Sequence, residues 1–175
     1  AKHRKDLIPE VDYNLQKIFD EGYHIETYAY QLFLKGVNAQ TEGFSESIFK
    51  TKTLMESKTP IIFQPTISGK NLFCRADIIQ LNEDGESWDI HEVKSATKVK
   101  DINIYDLAFQ KICFESNGYK IGKIHLIFIN NQYVREGKII PEHLLKTEDI
   151  TEQVKYLEEE TKIKIDEALE VIKIK

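Results

Sequence analysis

The side chains best placed to do chemistry in this chain are two carboxylates and an ammonium group, Asp77, Glu92 and Lys94. Between them, an Asp84-Gly85 pair separates two apolar runs, which is a strong signal for a two-residue hairpin turn. With that turn 83 pairs with 86, and the register continues as 81 with 88, 79 with 90 and 77 with 92. Asp77 and Glu92 become cross-strand partners, with Cβ atoms about 4.5–5.5 Å apart on one face. Lys94 follows two residues later and shares that face. Ile79, Leu81, Trp88 and Ile90 share it too, so an apolar stripe ends in Arg75, Asp77, Glu92 and Lys94. Adjacent carboxylates repel each other, and burial raises the cost. A Mg2+ or Mn2+ ion relieves the repulsion, because hard cations prefer carboxylate oxygens. A lysine beside such an ion can orient water or stabilise charge on a phosphate. The same spacing also suits an ordinary exposed hairpin with Asp–Arg and Glu–Lys pairs.

Further polar residues stand in apolar surroundings. Phe19, Gly22, Ala29 and Phe33 lie at i−7, i−4, i+3 and i+7 from Glu26, which puts this carboxylate on a helix's apolar face. An unpaired charge is costly there, so Glu26 serves either the site or a lysine at the helix edge. Gln110 lies in the mostly apolar segment YDLAFQKICF. A buried amide needs partners, either neighbouring backbone or the site. A two-residue turn at Gly69-Lys70 would set Gln64 opposite Arg75, where it either faces the site or is structural. Tyr133 and Arg135 follow a strand end, a position that suits a phosphate or base contact as well as a surface hairpin. His91 points away from Glu92 and reads as structural.

The elements that must hold these residues follow from periodicity. Residues 12–34 read as helix, with Leu15, Ile18, Phe19, Ala29, Leu32 and Phe33 near helical spacing and a kink or break at Gly22. Residues 46–57 form a more polar helix, and 60–67 a strand that Pro65 confines to an edge or bulge. Strands at 72–81 and 86–94 flank the turn, a helix covers 103–117, and 123–129 is a buried strand. A short strand at 132–135 and an apolar pair at Ile139-Ile140 precede a helix over 151–172, capped at Thr151. This order makes an α/β sandwich with a central mixed sheet flanked by helices.

The 175 residues, 41% apolar and 30% charged, suit a single soluble domain spanning 1–175. Cys74 and Cys113 stand far apart in apolar runs and read as buried free thiols of a reducing compartment, which points to the cytoplasm. Without a CxxC or Cys/His cluster, zinc and iron–sulfur sites are not expected, and the five histidines lack ligand spacing. No segment approaches the ~20 apolar residues of a membrane span, and no signal-peptide pattern is visible. A chain that begins at Ala1 rather than Met is compatible with excision from a longer protein with further domains. The net charge of −5 predicts weak nonspecific DNA binding, although divalent ions in an acidic site can meet the phosphate.

The stretches Arg75-Ala76-Asp77-Ile78-Ile79 and Asp89-Ile90-His91-Glu92-Val93-Lys94-Ser95-Ala96-Thr97 resemble the motif core of the PD-(D/E)XK nuclease superfamily, in its RecB-like exonuclease branch. Asp106-Leu107-Ala108-Phe109-Gln110, with Phe114, is similar to the branch's Q-x-x-x-Y helix. Gly22-Tyr23-His24-Ile25-Glu26 matches an upstream helix segment, and Asn130 to Gly137 resembles part of uncharacterised bacterial proteins carrying this domain. The likeness spans about residues 15–155. It implies a restriction-endonuclease-like core and a Mg2+- or Mn2+-dependent deoxyribonuclease of repair, recombination or defence. Its target would be DNA, single-stranded or at ends, with RNA as a further option. By resemblance Glu26, Asp77, Glu92 and the Val93 carbonyl would ligate metal. Lys94 would position or activate water, and Gln110 would contact substrate or brace the site. Ala76 replaces the proline of "PD", Phe114 lacks the usual hydroxyl, and the four-cysteine iron–sulfur site of some relatives is absent. A nuclease fold that binds nucleic acid or protein without cleaving it is the alternative.

Overall fold

The computed structural model describes residues 13–173. Residue 12 and the side chains of Leu15, Ile18 and Phe19 lie outside that description. Helix α1 (Tyr13–Tyr30) runs unbroken through Gly22, so no second helix begins there. The two-residue strand β1 (Val37–Asn38) and helix α2 (Phe44–Glu56) follow. Strands β2 (Ile61–Phe63), β3 (Thr66–Gly69), β4 (Leu72–Arg75), β5 (Ile78–Leu81) and β6 (Ser87–Lys94) come next. Helix α3 (Asp101–Ser116), β7 (Lys120–Ile129), the single turn α4 (Pro141–Leu144), β8 (Leu145–Asp149) and α5 (Thr151–Lys173) complete the chain.

Six strands form one mixed sheet in the order β1-β2-β5-β6-β7-β8, and β3 and β4 pair separately. β6 and β7 are parallel, linked by α3, while β5 and β8 run antiparallel to their neighbours in the middle and at the edge. Alternation divides the side chains between two cores. Ile79, Ile90, Ile124 and Leu126 pack with Leu107 and Phe114 of α3, Met55 of α2 and Val154 of α5. Ile78, Val93 and Ile127 point the other way and pack under Ala29 of α1. Fully burying one such aliphatic side chain contributes about 1.5–3 kcal/mol, so both faces are anchored.

The hairpin register is the expected one: Leu81 pairs with Trp88 and Ile79 with Ile90. Its loop is longer than two residues, because the last backbone pair is Asn82 with Ser87 (2.9 Å). Asp84 Oδ1 accepts the amides of Glu86 and Ser87 at 2.8 and 2.9 Å, and Gly85 takes a positive φ of 65°.

Two expected strands, 60–67 and 72–81, are each cut in half. Gln64 adopts a φ of 51° ahead of Pro65, and the chain leaves ladder geometry again at Ala76-Asp77. β2–β5 and β3–β4 nevertheless keep one common register, bridged by Gln64 N to Asp77 O (2.8 Å) and Ala76 N to Pro65 O (3.2 Å). This is one long hairpin, bent so that its outer half leaves the sheet. Its turn is Lys70-Asn71, both at positive φ, rather than Gly69-Lys70. Thr66, not Gln64, therefore faces Arg75. Residues 132–135 are a loop and not a strand, and β8 and β1 were not expected. The first amide of α5 is capped by Asp149 Oδ1 (3.0 Å), while Thr151 Oγ1 accepts the Ile124 amide at 2.9 Å. Among the described residues no helix is long and apolar enough to cross a membrane.

Candidate active site

The bend in the long hairpin creates the site. Its register sets Gln64 opposite Asp77, and the β5–β6 register carried one step outward sets Asp77 opposite Glu92. Gln64 just after β2, Asp77 just before β5 and Glu92 in β6 thus form a row at the sheet end where β6 and β7 finish. Lys94 follows on the Glu92 face. Helix α3 brings Asp106 and Gln110 against one side of this row, and α1 brings Glu26 and Tyr30 against the other.

The hydrogen bonds close on Glu92, which is 5% exposed. Lys94 Nζ lies 2.7 Å from Glu92 Oε1 and 2.9 Å from Asp106 Oδ2. Gln110 Nε2 donates to Glu92 Oε2 at 3.0 Å, while its buried Oε1 has no partner among the described residues. Asp77 Oδ2 accepts the Val93 amide at 2.8 Å, and Oδ1 lies 3.3 Å from Gln64 Nε2. The same Gln64 nitrogen reaches Glu26 Oε1, and it lies 3.1 Å from the Tyr30 hydroxyl, which donates to Glu26.

Burial and mutual repulsion set the electrostatics. Burial, then the nearby Glu92 charge, pushes the Asp77 carboxyl well above the usual range, against the Val93 amide. Glu92 is raised by burial despite Lys94 and Gln110. Lys94 is held above its ordinary value: burial alone would lower it, but Glu92 and Asp106 outweigh that. Tyr30 is raised by burial and by Glu26. Four upward shifts around one cluster are typical of functional sites and of buried ion-pair networks.

No protein-family model, curated protein or solved structure matches this chain. Its own donors must therefore answer whether a metal fits. Among the described residues no three His, Cys, Asp or Glu side chains gather in metal-holding geometry. The chemistry of the donors suits a hard cation all the same. Two neighbouring carboxyls resist ionisation together, which a divalent ion would relieve. Val93 directs its N–H to Asp77. A strand residue points its N–H and C=O to the same side, so the Val93 carbonyl faces that edge as well.

Of the residues singled out above, Asp77, Glu92, Lys94, Gln110, Glu26, Gln64 and Val93 are brought together. Arg75 is not: the bend carries it into β4, where Nε bonds Thr66 Oγ1 at 3.2 Å. Tyr133 and Arg135 lie in the loop after β7, at the same sheet end, but they bond locally. The Tyr133 hydroxyl accepts the Ile140 amide (3.3 Å) and Arg135 Nε donates to Gly137 O (2.7 Å). His91 faces α1, buried between Phe33 and the stacked ring of His125 (4.7 Å). Asp106 and Tyr30 were missed. Each lies four residues from a residue already singled out, Gln110 and Glu26, and so on the same helix face. An apolar hollow of about 520 Å³ lined by Leu72, Phe73, Phe109 and Leu169 includes none of these carboxylates.

Proposed function

We propose that this chain is a metal-dependent nuclease domain of the PD-(D/E)XK type, with a restriction-endonuclease-like core, that hydrolyses DNA phosphodiester bonds. The observation that carries this reading is the cross-strand pair Asp77–Glu92, with its raised carboxyls and with Lys94 bound to Glu92. Asp77, Glu92 and the Val93 carbonyl would hold Mg2+ or Mn2+, and Glu26 stands one hydrogen-bonded residue away through Gln64. The ion would supply positive charge to the phosphate and acidify nearby water.

The protein's own groups do the rest. Gln110 fixes the Glu92 carboxylate by its hydrogen bond, and Gln64 and the Val93 amide fix Asp77. Lys94, released from Asp106 as a phosphate enters, orients the attacking water or a non-bridging oxygen. Water oxygen bonds to phosphorus, the bond to the 3′-oxygen breaks, and the water's proton passes to solvent or to the leaving oxygen.

A second reading, a nuclease fold kept for binding without cleavage, is favoured by the double engagement of Lys94 with Glu92 and Asp106. One experiment separates the two. Labelled single- and double-stranded DNA is incubated with Mn2+ and wild type, Asp77→Ala or Lys94→Ala, beside calorimetry with Mn2+. Cleavage by wild type alone, with carboxylate-dependent Mn2+ binding, supports the nuclease. Equal cleavage by all three marks contamination and removes the enzyme assignment. Absence of Mn2+ binding favours the module.

A further inference from the structure

The chain carries a net charge of −5, yet the loops at the site end of the sheet are basic. Residues 95–100, leaving β6, contain Lys98 and Lys100 and no acid. Residues 130–140, leaving the adjacent parallel strand β7, contain Arg135 and Lys138 against Glu136 alone. The two loops are stitched together at their base, since Ile129 N donates to Ala96 O at 2.8 Å. All four cations are exposed. None of them makes an ion pair among the described residues, whereas Lys94, Lys111, Lys155, Lys162 and Lys164 all do.

These loops are also organised. Asn130 accepts the Gln132 amide (3.2 Å) and donates to His143 O (3.1 Å), and Arg135 is tethered to Gly137 O. Lys100 N donates to Asn103 Oδ1 (3.1 Å) at the start of α3. Preformed loops lose little entropy on binding. At the opposite end of the sheet the β5–β6 loop carries Glu83, Asp84 and Glu86. The two ends of the sheet therefore differ: acids and cations mix around the β5–β6 loop, where Lys58 reaches Gly85 O and Lys120 acts on Asp84, whereas the two loops beside the acidic site hold four cations to one acid. In open α/β sheets ligands meet the carboxyl ends of parallel strands.

We propose that the loops 95–100 and 130–140 form a phosphodiester-backbone contact surface, in which Lys98, Lys100, Arg135 and Lys138 bind the phosphates of a single nucleic-acid strand leading into the site. This rests on the nuclease reading for its direction, but not for the binding itself. Backbone contacts position a strand without reading its sequence, and both DNA and RNA carry the required phosphates.

The test measures binding apart from cleavage. Anisotropy of labelled oligo-dT and oligo-rU is followed in EDTA on an Asp77→Asn background, from about 50 to 200 mM salt. Four phosphate contacts give a log–log salt slope of about −2.8 for a single strand, so affinity should fall about 50-fold over that range. Lys98→Glu/Lys100→Glu and Arg135→Glu/Lys138→Glu should each reduce the slope by about half and weaken binding at least 10-fold. Lys120→Glu/Lys123→Glu, at the other end of the sheet, should change binding less than 2-fold. Equal loss in the control pair, wild-type binding by both loop variants, or equal affinity for poly-glutamate overturns the proposal. The two oligonucleotides decide between DNA and RNA. Because no cleavage is read, these outcomes stand apart from failure of the nuclease reading.

Discussion

Replacing Asp77 by asparagine tests whether the two carboxylates burden the metal-free fold. Cross-strand partners stand about 5 Å apart. At an effective dielectric of about 20, like charges at that distance repel by about 3 kcal/mol. The amide gives back part of this relief, because it accepts the Val93 N–H less strongly than a carboxylate does, by about 1 kcal/mol. The net expectation in EDTA at pH 8 is stabilisation by about 2 kcal/mol. For a chain of this size that is about 4–8 °C in melting temperature. The sign with pH follows from the raised carboxyls of Asp77 and Glu92. The folded protein keeps protons that the unfolded chain has lost, so wild-type stability is fullest below the ordinary carboxylate range and falls as pH rises through the raised values. The gain from Asp77→Asn should therefore shrink on acidification to pH 5. Mn2+ at about 100 times its dissociation constant should add about 2.7 kcal/mol to wild type and far less to the variant. Calorimetric melts at the two pH values, with EDTA or Mn2+, test all four expectations. A variant that melts below wild type in EDTA at pH 8, or that responds equally to Mn2+, would refute the reasoning.

Three other substitutions probe different parts of the molecule. Gln110→Ala leaves Glu92 without its amide donor and should weaken Mn2+ binding by about 10–100-fold, measured by titration calorimetry, while the fold stays intact by circular dichroism. His91 is buried with no hydrogen-bond partner among the described residues, and burial, with the neighbouring His125, pushes its imidazole down to about 4. Below its unfolded value the unfolded chain binds the extra proton, so stability is lost as pH falls from about 6.5 toward 4, by about 3 kcal/mol in all. His91→Phe should remove that loss, seen as a smaller difference between urea midpoints at pH 7.5 and 4.5 than wild type shows. A side chain at Gly122 would meet Asn82 Nδ2 and Asp89 Oδ1 at 2.6 Å. Gly122→Ala should therefore cost about 2 kcal/mol in denaturant melts without changing Mn2+ binding.

The pairing of Asp77 with Glu92 was legible because period-two alternation fixes which residues share a face once one turn is located, and Asp84-Gly85 located it. An extra pair of loop residues changed the turn but not the register. Glu26 and Gln110 were legible as polar groups in apolar helical surroundings, which must find partners inside. The bend was not legible. Pro65 marked an irregularity, but Arg75-Ala76-Asp77 carries no comparable signal, so Arg75 was placed beside carboxylates that it leaves behind. Gly69 misled as a turn residue. It is glycine because a Cβ there would sit 2.2 Å from Asn117 Oδ1, not because it turns the chain. β8 buries only Leu145 and thus shows no alternation. It is strand through its pairing with β7, a non-local cause absent from its own residues.

The bent hairpin also constrains how this chain can vary in length. Gln64 and Asp77 face each other because equal numbers of residues separate them from the Lys70-Asn71 turn. One residue added to or removed from a single arm would slide that pairing and turn a site side chain to the wrong surface. Matched changes in both arms, or a larger loop at the tip, would lengthen the outer ribbon and leave the acidic row where it is.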